Sequence, residues 1–169
     1  MVFKKNYVCI SLIIIIIVVS LLYILNILKS IPCSNDVLSK FYSNFIHTDM
    51  YHLFSNAYFL YTLFIVENRL GSKKFFALVF FILITSSLIE VILNSIYKLP
   101  CSIGISGLLF GLLTWNMLTQ YNINRNILIS IFLSVIGPSF INKKVSLSGH
   151  IIGCISGFLS VFIYNYIYT

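Results

Sequence analysis

An uncharged run of about twenty residues, from Cys9 to Leu28, restricts the possible folds of this chain more than any other feature. An α-helix rises about 1.5 Å per residue, so about twenty apolar residues cross the hydrocarbon core of a bilayer. Two lysines precede the run, as in a secretory signal peptide. The run is long for the apolar part of such a peptide, however, and it lacks a small-x-small cleavage site. It is therefore predicted to be a first membrane-spanning helix after a tail of residues 1–8.

The rest of the chain has the same apolar character. Only 9% of its 169 residues are charged, against about 25% in soluble domains, so a soluble fold is not expected. The net charge of +7 does not indicate nucleic-acid binding, because the charges only punctuate apolar runs. We predict an all-α membrane protein with one six-span domain over residues 1–169. Its further spans are expected at residues 52–66, 75–97, 101–118, 126–141 and 145–168.

Basic residues in the loops bear on orientation, because cytoplasmic loops carry an excess of Lys and Arg. With a cytoplasmic N-terminus, the inside has six basic residues and the outside has five. The count decides little, but the first span and its flanking Lys4 and Lys5 favour a cytoplasmic N-terminus. The starts of spans two, four and six then face the extracytoplasmic side.

The four cysteines are scattered, unlike those of a secreted disulfide scaffold. Cys9, Cys33, Cys101 and Cys154 are interpreted as small apolar packing residues. Cys33 and Cys101 fall on the same predicted side and could pair, and the sequence leaves that open.

Polar residues inside membrane spans are costly, so they are functional candidates. His52 and Asn56 open span two, Ser106 follows the start of span four, and His150 lies near the start of span six. These three spans run in the same direction, so the four side chains are predicted to gather at one end of the bundle.

Two sets of glycines suggest how Ser106 and His150 meet. Gly104, Gly107 and Gly111 surround Ser106, and a second stripe with four-residue spacing flanks His150 at Gly149, Gly153 and Gly157. Small residues allow membrane helices to approach closely. Packing of the two stripes would bring Ser106 near His150, the base that a serine hydroxyl needs. Alternatively, the glycines serve packing alone and His150 is a core histidine.

His52 and Asn56 lie four residues apart, on one helical face. With the backbone N–H of Ser106 they could stabilise an oxyanion; alternatively, they are a helix cap and an interfacial residue. Among the four acidic residues only Glu90 has a suitable depth to support His150. It lies on another span, with Asn94 as a possible partner, so a Ser/His dyad is predicted.

The ordered motifs resemble the rhomboid family of intramembrane serine proteases. HTDMYHLFSN (47–56) resembles the family's His-x4-His-x3-Asn pattern, and GISG (104–107) resembles its Gly-x-Ser-Gly motif. GHIIGCISG (149–157) resembles its last-span histidine with spaced small residues, and VENRLG (66–71) resembles its Glu-x-Arg-Leu-Gly turn. The resemblance covers about residues 45–168. A Trp-Arg pair that many bacterial members carry in the first loop is absent from residues 29–46.

This resemblance implies a six-helix bundle that hydrolyses peptide bonds in or near the spans of single-pass transmembrane proteins, without a metal or other cofactor. Ser106 would be the nucleophile and His150 the general base. His52, Asn56 and Ser106 would form the oxyanion hole, supported by Gly104 and Gly107, while His47 would be structural. The expected location is the lipid bilayer of a cell membrane, with the active site opening to the extracytoplasmic side. No oligomeric state follows from the sequence.

Other functions fit the sequence less well. A catalytically silent rhomboid-like protein that binds membrane clients is the alternative, although such relatives usually lack the serine or the histidine. A channel or transporter would need a charged ring or a repeated half, and neither is visible. The HExxH motif of metalloproteases is also absent.

Overall fold

Apolar helices account for the regular structure of the described chain. A computed structural model describes residues 6–120, 125–141 and 146–168, excluding the side chains of 138–141 and 164–168. This confirms the all-α prediction for those residues. The elements are α1 (Tyr7–Ile24), α2 (Val37–Ser43), α3 (Met50–Thr62), α4 (Phe64–Leu70), α5 (Ser72–Tyr97), α6 (Ser106–Gln120), α7 (Arg125–Ile141) and α8 (Leu147–Tyr168).

Two of these helices, α1 and α5, are long and apolar enough to cross a bilayer. Shorter apolar segments lie in α7, over Arg125–Gly137, and in α8, over Leu147–Ile163. Large hydrophobic side chains are exposed on the outer faces of these four helices, for example Ile14, Phe80, Phe132 and Phe158. Exposed apolar surface on this scale suits contact with lipid rather than water. The count of six spans remains a prediction.

Three predicted boundaries are wrong, and each has a local cause. The first helix ends at Ile24 instead of residue 28, since Asn26 adopts the left-handed φ of 59°. The fourth predicted span begins its helix at Ser106 instead of residue 101. Pro100 disfavours helical backbone before it, and Gly104 has a φ of +90°. The second span breaks at Leu63 and continues as α4 to Leu70.

Helix α6 lies at the centre of the bundle. Its buried residues point in every direction around the helix, as expected for a helix covered on all sides. They are Leu108, Leu109, Phe110, Gly111, Leu112, Thr114, Trp115 and Leu118. The residue that begins α6, Ser106, is therefore carried on the most enclosed element of the fold.

The predicted packing of the glycine stripes is confirmed for Gly107 and Gly111, which lie against the α8 glycines, whereas Gly104 faces His52 and His47. A Cβ atom on Gly153 would lie 2.0 Å from the carbonyl oxygen of Gly107, and one on Gly157 would lie 2.1 Å from that of Gly111. Such distances are far inside van der Waals contact, so only glycine allows α6 and α8 to approach this closely. The stripes set the depth of α8 relative to α6, and thereby the depth of His150 relative to Ser106.

The end of the bundle around Glu67, which we call the turn end, is fastened by that buried carboxylate. Glu67 accepts hydrogen bonds from the backbone N–H groups of Val8 and Cys9, each at 2.9 Å, and from the hydroxyl of Ser72 at 2.7 Å. Free N–H groups at a helix start need such acceptors. Glu67 thus joins the start of α1 to the junction of α4 and α5.

Candidate functional site

Ser106 is the first residue of α6, at the opposite end of the bundle, which we call the serine end. The first N–H groups of a helix have no partners inside it and carry partial positive charge, which favours an anion at this position. Gly104 has a φ of +90°, which favours glycine, in the turn before α6. A Cβ there would lie 2.8 Å from Cε1 of His52. Gly104 therefore lets the His52 imidazole pack against the backbone two residues before Ser106.

His150 is buried on α8, with 3% of its surface exposed. Its Nδ1 lies 3.3 Å from the carbonyl oxygen of Val135 on α7. A carbonyl can only accept, so Nδ1 carries the proton in this hydrogen bond and Nε2 of the neutral ring keeps its lone pair. The ring of Phe110 packs on the imidazole with centroids 4.1 Å apart. A carbonyl and an aromatic ring thus hold the ring in the tautomer that a general base needs.

The glycine contacts bring the neighbours of Ser106 and His150 together. A Cβ on Gly107 would lie 3.3 Å from the carbonyl oxygen of Gly149. A cavity of about 20 Å³ opens beside Ser106 and is lined by Glu90, Ser102, Gly149 and several neighbours; that volume suffices for one water molecule. Within the described residues no hydrogen bond joins Ser106 to His150. Catalytic hydrogen bonds are often long before substrate binds.

Asn56 is buried on α3 and is held by a histidine of the preceding loop. Its Nδ2 donates to Nε2 of His47 at 2.9 Å, and Nδ1 of His47 lies 3.0 Å from Oγ of Ser20 on α1. Burial lowers the pKa of His47 to about 3, so the ring is neutral at physiological pH. His47 also contacts His52, with ring centroids 4.9 Å apart. This structural role of His47 agrees with the prediction.

The predicted oxyanion residues His52 and Asn56 both contact His47, and His52 also lies against Gly104. His52 is placed by its contact with Gly104, and Asp49 caps its helix by accepting from the His52 N–H at 2.8 Å. Asn56 uses one N–H of its amide on His47 and has a second N–H to offer. Their function as an oxyanion hole remains a prediction.

Glu90 has a partner that the sequence did not indicate. Its carboxylate forms an ion pair with Lys40 of α2 at 3.0 Å, and both side chains are buried. The suggested partner Asn94 is wrong, since Asn94 donates to Asn35 at 2.9 Å. Lys40 lies between the first two predicted spans, and its neighbours in the sequence do not indicate burial. The signal was the cost of a lone carboxylate inside a span, which calls for a cation.

The question left open about the cysteines is answered by a disulfide between Cys33 and Cys101. The interpretation of these two as packing residues is therefore wrong. Cys9 and Cys154 are free, and Cys9 is fully buried, in keeping with a packing role. The bond joins residues 68 apart in the chain and anchors the segment that leads to Ser106.

The fold and the site define a class of protein. Its members are helical membrane proteins with a serine at the start of a central helix and an oriented histidine on the neighbouring helix. The Rhomboid domain family matches residues 34–167. A protein of Acanthamoeba polyphaga mimivirus that is named as a rhomboid protein is 28% identical over 133 residues, covering 78% of this chain and 77% of its own. The chain belongs to the rhomboid family.

Proposed function

We propose that this protein is an intramembrane serine endopeptidase that cleaves single-pass transmembrane proteins in or near their spans. Ser106 is the nucleophile and His150 the general base. The observation that carries the proposal is the hydrogen bond from His150 Nδ1 to the Val135 carbonyl. It leaves Nε2 with the lone pair that can take the serine proton. The described residues place no carboxylate against His150, which supports a dyad.

In the proposed reaction, Oγ of Ser106 attacks the carbonyl carbon of the scissile peptide bond while Nε2 of His150 takes its proton. The carbonyl oxygen becomes an oxyanion, stabilised by the Ser106 N–H, Asn56 and His52. Collapse breaks the C–N bond, and the imidazolium gives its proton to the leaving amine. The ester on Ser106 is then hydrolysed by water, whose proton passes to His150, and Ser106 regains its hydroxyl proton.

The proposed setting is a lipid bilayer that six spans cross, with a cytoplasmic N-terminus and the serine end on the extracytoplasmic side of a cell membrane. The Cys33–Cys101 disulfide at the serine end supports this orientation, since disulfides persist in oxidising compartments and are rare in the cytosol. It adds to the preference for a cytoplasmic N-terminus that the first span and its flanking Lys4 and Lys5 give. Neither nucleic acid nor a cofactor has a part in the proposed chemistry.

Labelling of the detergent-purified protein with a fluorophosphonate tests the proposal. We expect one adduct, on Ser106, and cleavage of a single-pass substrate. The Ser106→Ala and His150→Ala variants should fold but should not cleave the substrate. Ser86→Ala is the matched control, because Ser86 lines the same cavity but donates to Leu83 of its own helix. Labelling of Ser106→Ala would refute the assignment. A folded wild-type protein that neither labels nor cleaves would instead support the alternative, a catalytically silent protein that binds membrane clients.

A further inference from the structure

The segment from Cys101 to Ile105, which we call the serine segment, is held at three places, two of them directly by the first loop and one through Glu90 of α5. Cys101 is linked to Cys33 by the disulfide. The Ser102 N–H donates to Oε1 of Glu90 at 3.4 Å, and Glu90 is paired with Lys40. The Gly104 N–H donates to the carbonyl of Ser43, the last residue of α2, at 3.0 Å. Three of the five residues of the serine segment, Cys101, Ser102 and Gly104, are therefore anchored.

The Lys40–Glu90 pair is the unusual member of this set. The side chains are 1% and 8% exposed, and the same carboxylate oxygen receives both the Lys40 ammonium and the Ser102 N–H. Removing two charges from water is costly, and an apolar pair of similar volume is often as stable. Burial of this ion pair therefore calls for a role beyond stability.

We propose that Lys40 and Glu90 are positioning residues for Ser106, an inference that rests on the proposed protease function. Lys40 holds the Glu90 carboxylate between α2 and α5, and Glu90 fixes the backbone of Ser102, four residues before the nucleophile. The disulfide and the Ser43 carbonyl hold the flanking residues, so the serine segment meets α6 in one geometry. Attack by a hydroxyl depends on such placement, since a displacement of about 1 Å can cost roughly 100-fold in rate.

The test compares folded variants by the rate at which a fluorophosphonate labels Ser106 and by kcat and KM for a single-pass substrate. The double variant Lys40→Met, Glu90→Met removes both charges and leaves neither one buried alone. We expect its labelling rate and kcat to fall on the order of tenfold or more, with KM unchanged. Lys40→Arg keeps the cation and should stay within about twofold of the wild-type protein, because the pair can re-form.

A second variant separates the ion pair from the acceptor. Lys40→Glu with Glu90→Lys keeps opposite charges but presents no acceptor to the Ser102 N–H, so labelling should slow as in the methionine variant. Glu67→Gln is the matched control, a buried carboxylate at the turn end whose loss should leave the labelling of folded protein unchanged.

The outcomes separate the two proposals. A wild-type protein that fails to label overturns the protease function itself. A wild-type protein that labels, alongside folded pair variants that label equally fast, overturns the positioning role alone. If neither the methionine variant nor the swapped variant folds, the pair is a folding requirement and the positioning role is rejected.

Discussion

The turn end and the serine end each bury one glutamate, but they satisfy the two carboxylates differently. Glu67 receives three uncharged donors, two backbone N–H groups of α1 and the Ser72 hydroxyl. Glu90 receives a lysine ammonium and a single, longer backbone bond at 3.4 Å. The first carboxylate works as a helix cap, whereas the second depends on a buried cation.

The difference follows from what each end must hold. At the turn end Glu67 joins helices that are already neighbours in the chain or in the core. At the serine end, irregular backbone must be held at the start of α6, and this end also contains the disulfide and all three histidines of the chain. The turn end therefore serves stability, while the serine end combines stability with the proposed placement of Ser106.

The largest expected difference between the two ends is in the folding free energy lost when each glutamate is neutralised. Glu90→Gln leaves the Lys40 charge buried without its partner, which typically costs about 3–5 kcal/mol of folding free energy. Glu67→Gln retains an amide oxygen as acceptor and should cost less, about 1–3 kcal/mol. Unfolding in detergent under matched conditions measures both values. Equal losses would show that the Lys40 pair is no more demanding than the Glu67 cap.

The disulfide offers a second contrast, because it fastens the serine end alone. Reduction opens a link between residues 68 apart, and loss of such a link typically costs about 2–4 kcal/mol. We expect reductant to lower the melting temperature of the wild-type protein but not that of Cys33→Ser with Cys101→Ser. Both proteins keep Cys9 and Cys154, so an equal response would place the effect outside the disulfide. A membrane-impermeant reductant on oriented vesicles would also report which side the serine end faces.

The sequence predicted the elements with strong local signals. The long apolar run predicted α1, and the four-residue glycine spacing predicted the contact of α6 with α8. The ordered motifs predicted which polar residues lie near the serine turn, including His52 beside Gly104. These signals depend on composition and periodicity, which can be read without knowing tertiary contacts.

Features that depend on contacts between distant segments escaped prediction. Lys40 is one of eleven basic residues, and nothing in its local sequence indicates burial against Glu90. The Val135 carbonyl that orients His150 is backbone and carries no sequence signature. Phe110 could have been found, because it lies one helical turn after Ser106 and so shares its face. The start of α6 at Ser106 was missed because apolar character continues through Pro100 and Cys101, where the backbone is not helical.

Mild acid should lower the folding stability of the protein through His47 at the serine end. This is the smallest of the expected effects. Burial lowers the pKa of His47 to about 3, from an ordinary 6.5. A depressed folded-state pKa means that the unfolded chain binds the proton more readily. The stabilising contribution is therefore complete above pH 6.5 and is lost as pH falls toward 3. Between about pH 7 and pH 5 the loss is on the order of 2 kcal/mol.

His47→Gln places an amide oxygen where Nε2 accepts from Asn56, and it has no proton to gain in this range. We expect its melting temperature to fall less steeply with acid than that of the wild-type protein, even if it is lower at pH 7. Parallel slopes of melting temperature against pH for the two proteins would mean that His47 adds no acid sensitivity to that of the rest of the protein.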